Sequence, residues 1–339
     1  MIFMAKPRIA CCYYPTTVVF IDDNRSFLDN VVLGFDESIN TITFTEPTKA
    51  IGYLRDCALV SFTDKYLRSF KEDEDFGCSN VEHSYVDVNV FNIHKEIYNS
   101  HRFDTVIVVV VDYTMPEMNG LELCRILKGL PFKFILITGD ATLNSAIEAF
   151  NAGLIHKFIP KSCHDFTYKL QNVISELQEK QFEEFSDVII KNLSTTQSAG
   201  LGDPLLIKFL KEFFKNNNIV EYYLVTGSGC FLLMNSRGDL SWMAIKTEEE
   251  MAEYTNTAID NYGEEKLINE LLSREKILFL CTEADHINVT VNDWEKYLYP
   301  ATRLIGDNNV YYYSHIKEMV NNIVCTNRII SYEKFLAAQ

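Results

Sequence analysis

Basic residues are scarce in this chain: 31 Lys and Arg stand against 47 Asp and Glu among 339 residues, a formal net charge of −16. From Asp187 onward the balance is 14 basic against 21 acidic residues. Affinity for a phosphate backbone comes from clustered cations, so direct nucleic-acid binding is disfavoured. No apolar stretch approaches the length of a membrane span, and the start lacks the pattern of a signal peptide. The nine cysteines are odd in number and include no Cys-x-x-Cys pair, which argues against a disulfide framework or a zinc site. Reduced thiols and a cytoplasmic location are the expectation. Internal repeats are absent, as are the signatures of a cyclase, a phosphodiesterase, a kinase or a helix-turn-helix.

What is present is enough apolar material, 47% of residues, to fill the cores of two domains. The most informative segment runs from Asp104 to Gly120, where a Val-rich stretch ends in Asp112, followed by Pro116 and Gly120. An uncharged β-branched run of that kind reads as a strand buried on both faces. In open α/β sheets chemistry gathers at the carboxyl ends of strands, which makes Asp112 the first candidate for a reacting group. Thr17–Ile21 is a second such run, and it ends in Asp22 and Asp23. Two parallel strands thus deliver three carboxylates to one sheet edge, a cluster that needs either raised pKa values or a cation. Hard oxygen donors suit Mg²⁺, which accepts one or two carboxylates and leaves room for a phosphate. Downstream, the run from Phe132 to Ile137 ends in Thr138 and Gly139, a hydroxyl beside an open backbone, and the run from His156 to Pro160 ends in Lys161, whose ammonium is a point charge for phosphate. Each residue has a plainer reading: Lys161 as a solvated surface lysine, Phe158 as a core aromatic, Asp22 or Asp23 as a cap on the next helix.

Asp22-Asp23, Asp112 with Met115-Pro116 and Gly120, Thr138-Gly139 and Lys161, in this order and spacing, resemble the receiver domain of two-component response regulators over roughly the first half of the chain. The resemblance implies a doubly wound α/β fold with a five-stranded parallel sheet. It implies that Asp112 is the phosphoacceptor and forms an acyl phosphate with the phosphoryl group of a sensor histidine kinase. It further implies Mg²⁺ as cofactor, ligated by Asp23, Asp112 and the Thr114 carbonyl, with Asp22 acting more through water. Thr138 and Lys161 then serve as catalytic groups that neutralise phosphoryl charge, and Thr138 with Phe158 as the conformational switch. Beyond this self-phosphorylation and autodephosphorylation, no further enzyme activity is expected. The wider arrangement also resembles response regulators of quorum sensing.

Two features depart from the family pattern. Pro160 precedes Lys161, where the family places a proline after the lysine, and some forty residues are inserted between the helix at Pro47–Ala58 and the strand near 104. Within the insertion Phe91–Tyr98 reads as helix and Lys71–Asp75 as a solvated turn. The expected organisation is an N-terminal tail over 1–15, a receiver over 16–185 with its insertion at about 59–103, a helix end and linker over 186–202, and a separate α+β output domain over 203–339. Apolar positions from Phe166 to Leu177 recur at helical spacing and continue through Phe182–Ile189, giving a helix that runs on and offers a homodimer seam. In the output domain Asp203-Pro204 opens a helix, Tyr222–Thr226, Cys230–Met234 and Leu240–Ile245 form a meander, and Thr247 with Glu250 caps a helix to Asn261. Gly227-Ser228-Gly229 and Arg237-Gly238-Asp239 read as turns, and Trp242, Trp294 and Tyr311–Tyr313 as core or cleft aromatics. A module that binds a protein or small ligand is the leading output, ahead of direct transcriptional control and an enzymatic output of unrecognised type.

Overall fold

In the computed structural model the placed residues are 8–36, 39–58, 67–71, 84–88, 90–139, 143–190, 200–226, 229–280, 289–306, 309–318 and 324–339. In chain order the elements are β1 (Cys12–Tyr13), β2 (Thr17–Ile21), α1 (Arg25–Leu33), β3 (Thr41–Phe44), α2 (Pro47–Ala58), β4 (Leu67–Lys71), β5 (Ser84–Val88), β6 (Val106–Asp112), α3 (Gly120–Ile126), β7 (Lys133–Thr138), α4 (Leu143–Asn151), β8 (Lys157–Pro160) and α5 (Phe166–Ile190). They continue with α6 (Pro204–Asn216), β9 (Ile219–Thr226), β10 (Cys230–Asn235), β11 (Leu240–Thr247), α7 (Glu248–Asp260), α8 (Glu265–Ser273), β12 (Lys276–Leu278), β13 (Leu298–Pro300), β14 (Thr302–Ile305), β15 (Val310–Ile316) and α9 (Tyr332–Leu336). The chain divides into two units, one of residues 14–64, 101–184 and 335–339, the other of residues 1–13, 65–100 and 185–334.

The first unit holds a five-stranded sheet in the order β3-β2-β6-β7-β8, parallel throughout. All residues of β2, β6 and β7 are buried, which is why their sequences are apolar runs rather than alternations. One core cluster joins Val19, Ile21, Val109, Val111 and Leu136 with Leu54, Leu121, Leu123 and Ala146 of the helices. Asn24 caps α1, its side chain accepting from the Phe27 N–H, and Asn119 caps α3 in the same way. The cap of α1 is therefore neither Asp22 nor Asp23, and both carboxylates are left for other work.

The second unit is antiparallel, a six-stranded sheet in the order β1-β9-β10-β11-β15-β14. The expected meander is β9-β10-β11, and its second turn is tied by Asn235, whose side-chain oxygen accepts from the N–H groups of Arg237 and Asp239 while Gly238 takes φ +96°. Of the Gly227–Gly229 turn only Gly229 is among the described residues; its φ is +103° and β10 follows it directly. Asp203 caps α6 with Pro204 in the first turn, and Thr247 and Glu250 form the capping box of α7.

Two expectations about organisation need correcting. Residues 1–15 are not simply a tail: Ile9, Ala10, Cys11 and Cys12 are buried, and β1 pairs with β9 in the six-stranded sheet. The insertion does not stay with the receiver, since residues 65–100 group with the antiparallel unit, where a 3₁₀ helix at Val90–Tyr98 lies against β9. The helix expected at Phe91–Tyr98 is present, with 3₁₀ geometry, and of Lys71–Asp75 only Lys71 is described, as the end of β4. The strands β13 and β14 were not expected either, and Trp294 sits on a 3₁₀ helix at Val291–Tyr297, buried in a satellite core with Leu267, Leu271 and Tyr297.

Candidate functional site

β2 and β6 are neighbours in register, Ile21 opposite Val111, so the residues that follow, Asp22 and Asp112, emerge side by side at the carboxyl edge. The strand order reverses direction between these two strands, which opens the crevice where α/β sheets bind ligands. Asp22 and Asp112 are buried, Asp23 is exposed, and carboxylate oxygens of all three lie within 4.8 Å of one another.

Lys161 bridges the two buried carboxylates. Its ammonium donates to Asp22 Oδ2 at 2.7 Å and lies 2.8 Å from Asp112 Oδ1, and it sits 4.3 Å from the centre of the Phe27 ring. The backbone makes this placement robust to the displaced proline: Pro160 faces Thr138 in the β7–β8 register, and the Lys161 N–H donates to the Thr138 carbonyl at 2.8 Å. Asp22 also accepts from the Asn24 N–H at 2.8 Å, and Asp112 Oδ2 from the Thr114 N–H at 3.2 Å. Burial pushes the Asp112 carboxyl up, the nearby Asp22 adds to this, and together they outweigh Lys161 and the Thr114 N–H. For Lys161 burial acts downward, but the bonds to Asp112 and Asp22 prevail and its pKa is raised.

Gly120 is required at its position. A Cβ there would stand 2.2 Å from the Asp112 carbonyl oxygen, closer than any packing allows, while the Gly120 N–H closes the loop by donating to the Tyr113 carbonyl at 2.9 Å. Thr138 is buried at the end of β7, and its hydroxyl donates to the Gly139 carbonyl at 3.0 Å. Phe158 is half-buried opposite Leu136 and meets Phe150 edge-on at 6.3 Å between centroids.

The donor set fits a divalent cation. Three carboxylates share one ammonium, leaving two negative charges uncompensated within a few ångströms, and every donor is a hard oxygen. Asp22, Asp23, Asp112, Lys161 and Thr138 thus meet at one edge, with Thr114 exposed beside them. Sequence reasoning missed the parts played by Asn24 and Phe27; the signal for Asn24 was an Asx residue directly before a helical run.

Residues 79–171 match the response regulator receiver domain family. The match contains Asp112, Thr138 and Lys161 and begins after Asp22 and Asp23, which lie beyond the inserted residues. The chain belongs to the response regulators of two-component signalling. Its likeness to one member runs the full length: it is 33% identical to the Legionella pneumophila response regulator LqsR over 97% of this chain and 95% of that one, with a TM-score of 0.79. A shorter stretch of 77 residues is 38% identical to the transcriptional regulatory protein FlgR of Helicobacter pylori, covering 22% of this chain. The chain spans only a fifth, 20%, of that curated relative's length.

Proposed function

We propose that this response regulator takes a phosphoryl group from a sensor histidine kinase onto Asp112 and passes the change to its antiparallel unit through an altered surface and homodimerisation. The observation that carries this reading is the Lys161 ammonium held between Asp22 and Asp112, at 2.7 and 2.8 Å, at the strand switch point.

An Asp112 carboxylate oxygen attacks the phosphorus of the kinase phosphohistidine. The new P–O bond forms as the P–N bond breaks, and the imidazole leaves with that electron pair. Positioning and charge neutralisation do most of the work in such a transfer. Lys161 moves its ammonium from the free carboxylate to the phosphoryl oxygens, and the Thr138 hydroxyl exchanges the Gly139 carbonyl for another. Asp22, Asp23, Asp112 and the Thr114 carbonyl would hold Mg²⁺, which supplies charge neutralisation for the phosphoryl oxygens.

Inward movement of Thr138 frees space beside Phe158 and repositions its neighbour Phe150. Leu143, Ile147 and Phe150 are exposed along one side of α4, at 36, 40 and 46% of their full areas, and form an apolar stripe that a second copy covers. A shift from 1:99 to 99:1 needs about 5.5 kcal/mol of differential stabilisation, so a partial shift is expected. The output is a module that binds a protein or small ligand within quorum-sensing signalling, a reading supported by the acidic charge and the resemblance described from sequence.

The test is intact mass of the wild type and Asp112→Asn after incubation with acetyl phosphate and Mg²⁺, followed by light scattering. One phosphoryl adduct on the wild type alone, with increased mass in solution, supports the proposal; an adduct on both proteins, or none on either, overturns the assignment of Asp112. In this family the side chains two after the acceptor and two after the threonine govern autodephosphorylation. Here they are Thr114 and Asp140, the latter outside the described residues. Thr114 lacks an amide to orient water, so a long-lived phosphoryl group is expected, and loss within seconds would contradict it.

A further inference from the structure

The parallel sheet has a second concavity at its other end. It is a pocket of about 260 Å³ walled by the turn between α3 and β7, the start of β7, the turn before β8 and the middle of α5. β7 begins here with Lys133 and finishes at Thr138, so this pocket is separated from the Asp112 site by the length of a strand.

Five polar side chains line it, and their bonding states differ in an informative way. Gln181 is 6% exposed, and its side-chain amide has no hydrogen-bond partner among the described residues. The amide lines the pocket without a protein partner among the described residues, so its donor and acceptor are available to a ligand. His156 accepts the Phe134 N–H on Nδ1 at 3.0 Å, which places the ring proton on Nε2. Burial lowers its pKa to about 4, so at neutral pH the ring is an uncharged donor into the pocket. Lys133 is 7% exposed and pairs with Glu184 at 2.5 Å, and Lys128 stands exposed at the rim. Lys128 and Lys133 against Glu184 give the lining one net positive charge in a chain whose total is −16.

We propose that this pocket binds a small organic carboxylate that also carries a hydroxyl group. The carboxylate meets Lys133, Lys128 and the His156 Nε2–H, while the hydroxyl pairs with the Gln181 amide and the free lone pairs of Glu184. The volume lies just below the usual range for ligand sites, roughly 300–1,000 Å³, and suits a molecule of a few carbons rather than a nucleotide.

The probe is L-lactate, titrated into the full chain by calorimetry at pH 7 in 0.15 M NaCl, with inorganic phosphate and acetate as parallel arms. Saturable binding of lactate, stronger than acetate and phosphate, is expected. Gln181→Leu, which keeps the volume and removes the amide, should weaken it about five- to tenfold, the factor for one hydrogen bond. Lys128→Ser, a change at an exposed rim residue that the fold tolerates, should weaken it by a smaller factor, and Asp112→Asn should leave it unchanged. Absence of lactate binding, equal affinity in Gln181→Leu and Lys128→Ser, or loss of binding in Asp112→Asn overturns the proposal. Tighter binding of phosphate than of lactate reassigns the pocket to inorganic anions and overturns the carboxylate.

Discussion

The two units treat buried charge in opposite ways. In the parallel unit Asp22, Asp112 and Lys161 converge at one sheet edge with Asp23 beside them, and the carboxylates outnumber their ammonium partner. In the antiparallel unit the carboxylates are matched locally: Lys246 with Glu250 at 3.1 Å and Tyr223 donating to Glu221 at 2.6 Å in the interior, and nearer the surface Tyr312 and Arg274 donating to Glu248 at 2.7 and 3.0 Å, and Tyr311 and Asn309 donating to Asp203 at 2.8 and 2.7 Å. An excess of one sign is poised to take a ligand, whereas a matched pair contributes to the fold. Function can therefore be argued from the first unit, and mainly stability from the second.

The sharpest way to break this contrast is at the bridging ammonium. Lys161→Met should slow phosphorylation by acetyl phosphate about a hundredfold, as loss of one positioned donor does, while urea unfolding followed by Trp fluorescence stays unchanged. That fluorescence reports on one unit only, because both tryptophans, Trp242 and Trp294, lie in the antiparallel one. Lys246→Ala should do the reverse. It leaves Glu250 without its partner and lowers the stability read by Trp fluorescence by about 3 kcal/mol, the lower end for a broken buried pair because Glu250 is a quarter exposed. Phosphorylation should survive it.

Gly120→Ala sits between these cases. The new methyl group must displace the Asp112 backbone, so a cost of about 1–3 kcal/mol in calorimetric unfolding of the parallel unit should accompany slower phosphorylation. The smallest effect concerns His156. Its folded pKa, lowered to about 4 by burial first, lies below the ordinary value of 6.5, so the neutral ring contributes stability above pH 6.5 that is lost as pH falls toward 4. The difference in thermal midpoint between wild type and His156→Gln should therefore shrink across that window, measured by scanning calorimetry, and a constant difference would contradict it.

Much of the parallel unit was legible because three of its strands, β2, β6 and β7, are buried on both faces and announce themselves as apolar runs that lead to polar residues at the same sheet edge. The departure at Pro160 proved harmless because a backbone bond from Lys161 to Thr138 sets the lysine's place. The helical expectations at Asp203 and Thr247 held because capping is local chemistry. What was not legible depends on distant pairing. β1 is two residues long and β13 ends in Pro300, too short to show a period, and nothing near residues 65–100 tells which unit they join. The Lys133–Glu184 pair and the open Gln181 amide depend on a helix meeting a strand about fifty residues away, which spacing alone does not reveal.

The order in which the chain visits its two units has a consequence for its synthesis. Six stretches alternate between them, so neither unit is one continuous piece, and β1 pairs with a strand that begins about two hundred residues later. At roughly 5–20 residues per second a ribosome takes about 10–40 s to deliver that partner. Through that interval the buried run Ile9–Cys12 is an exposed apolar segment on the nascent chain, a natural target for chaperones. A gene cut after the first half would leave it exposed permanently.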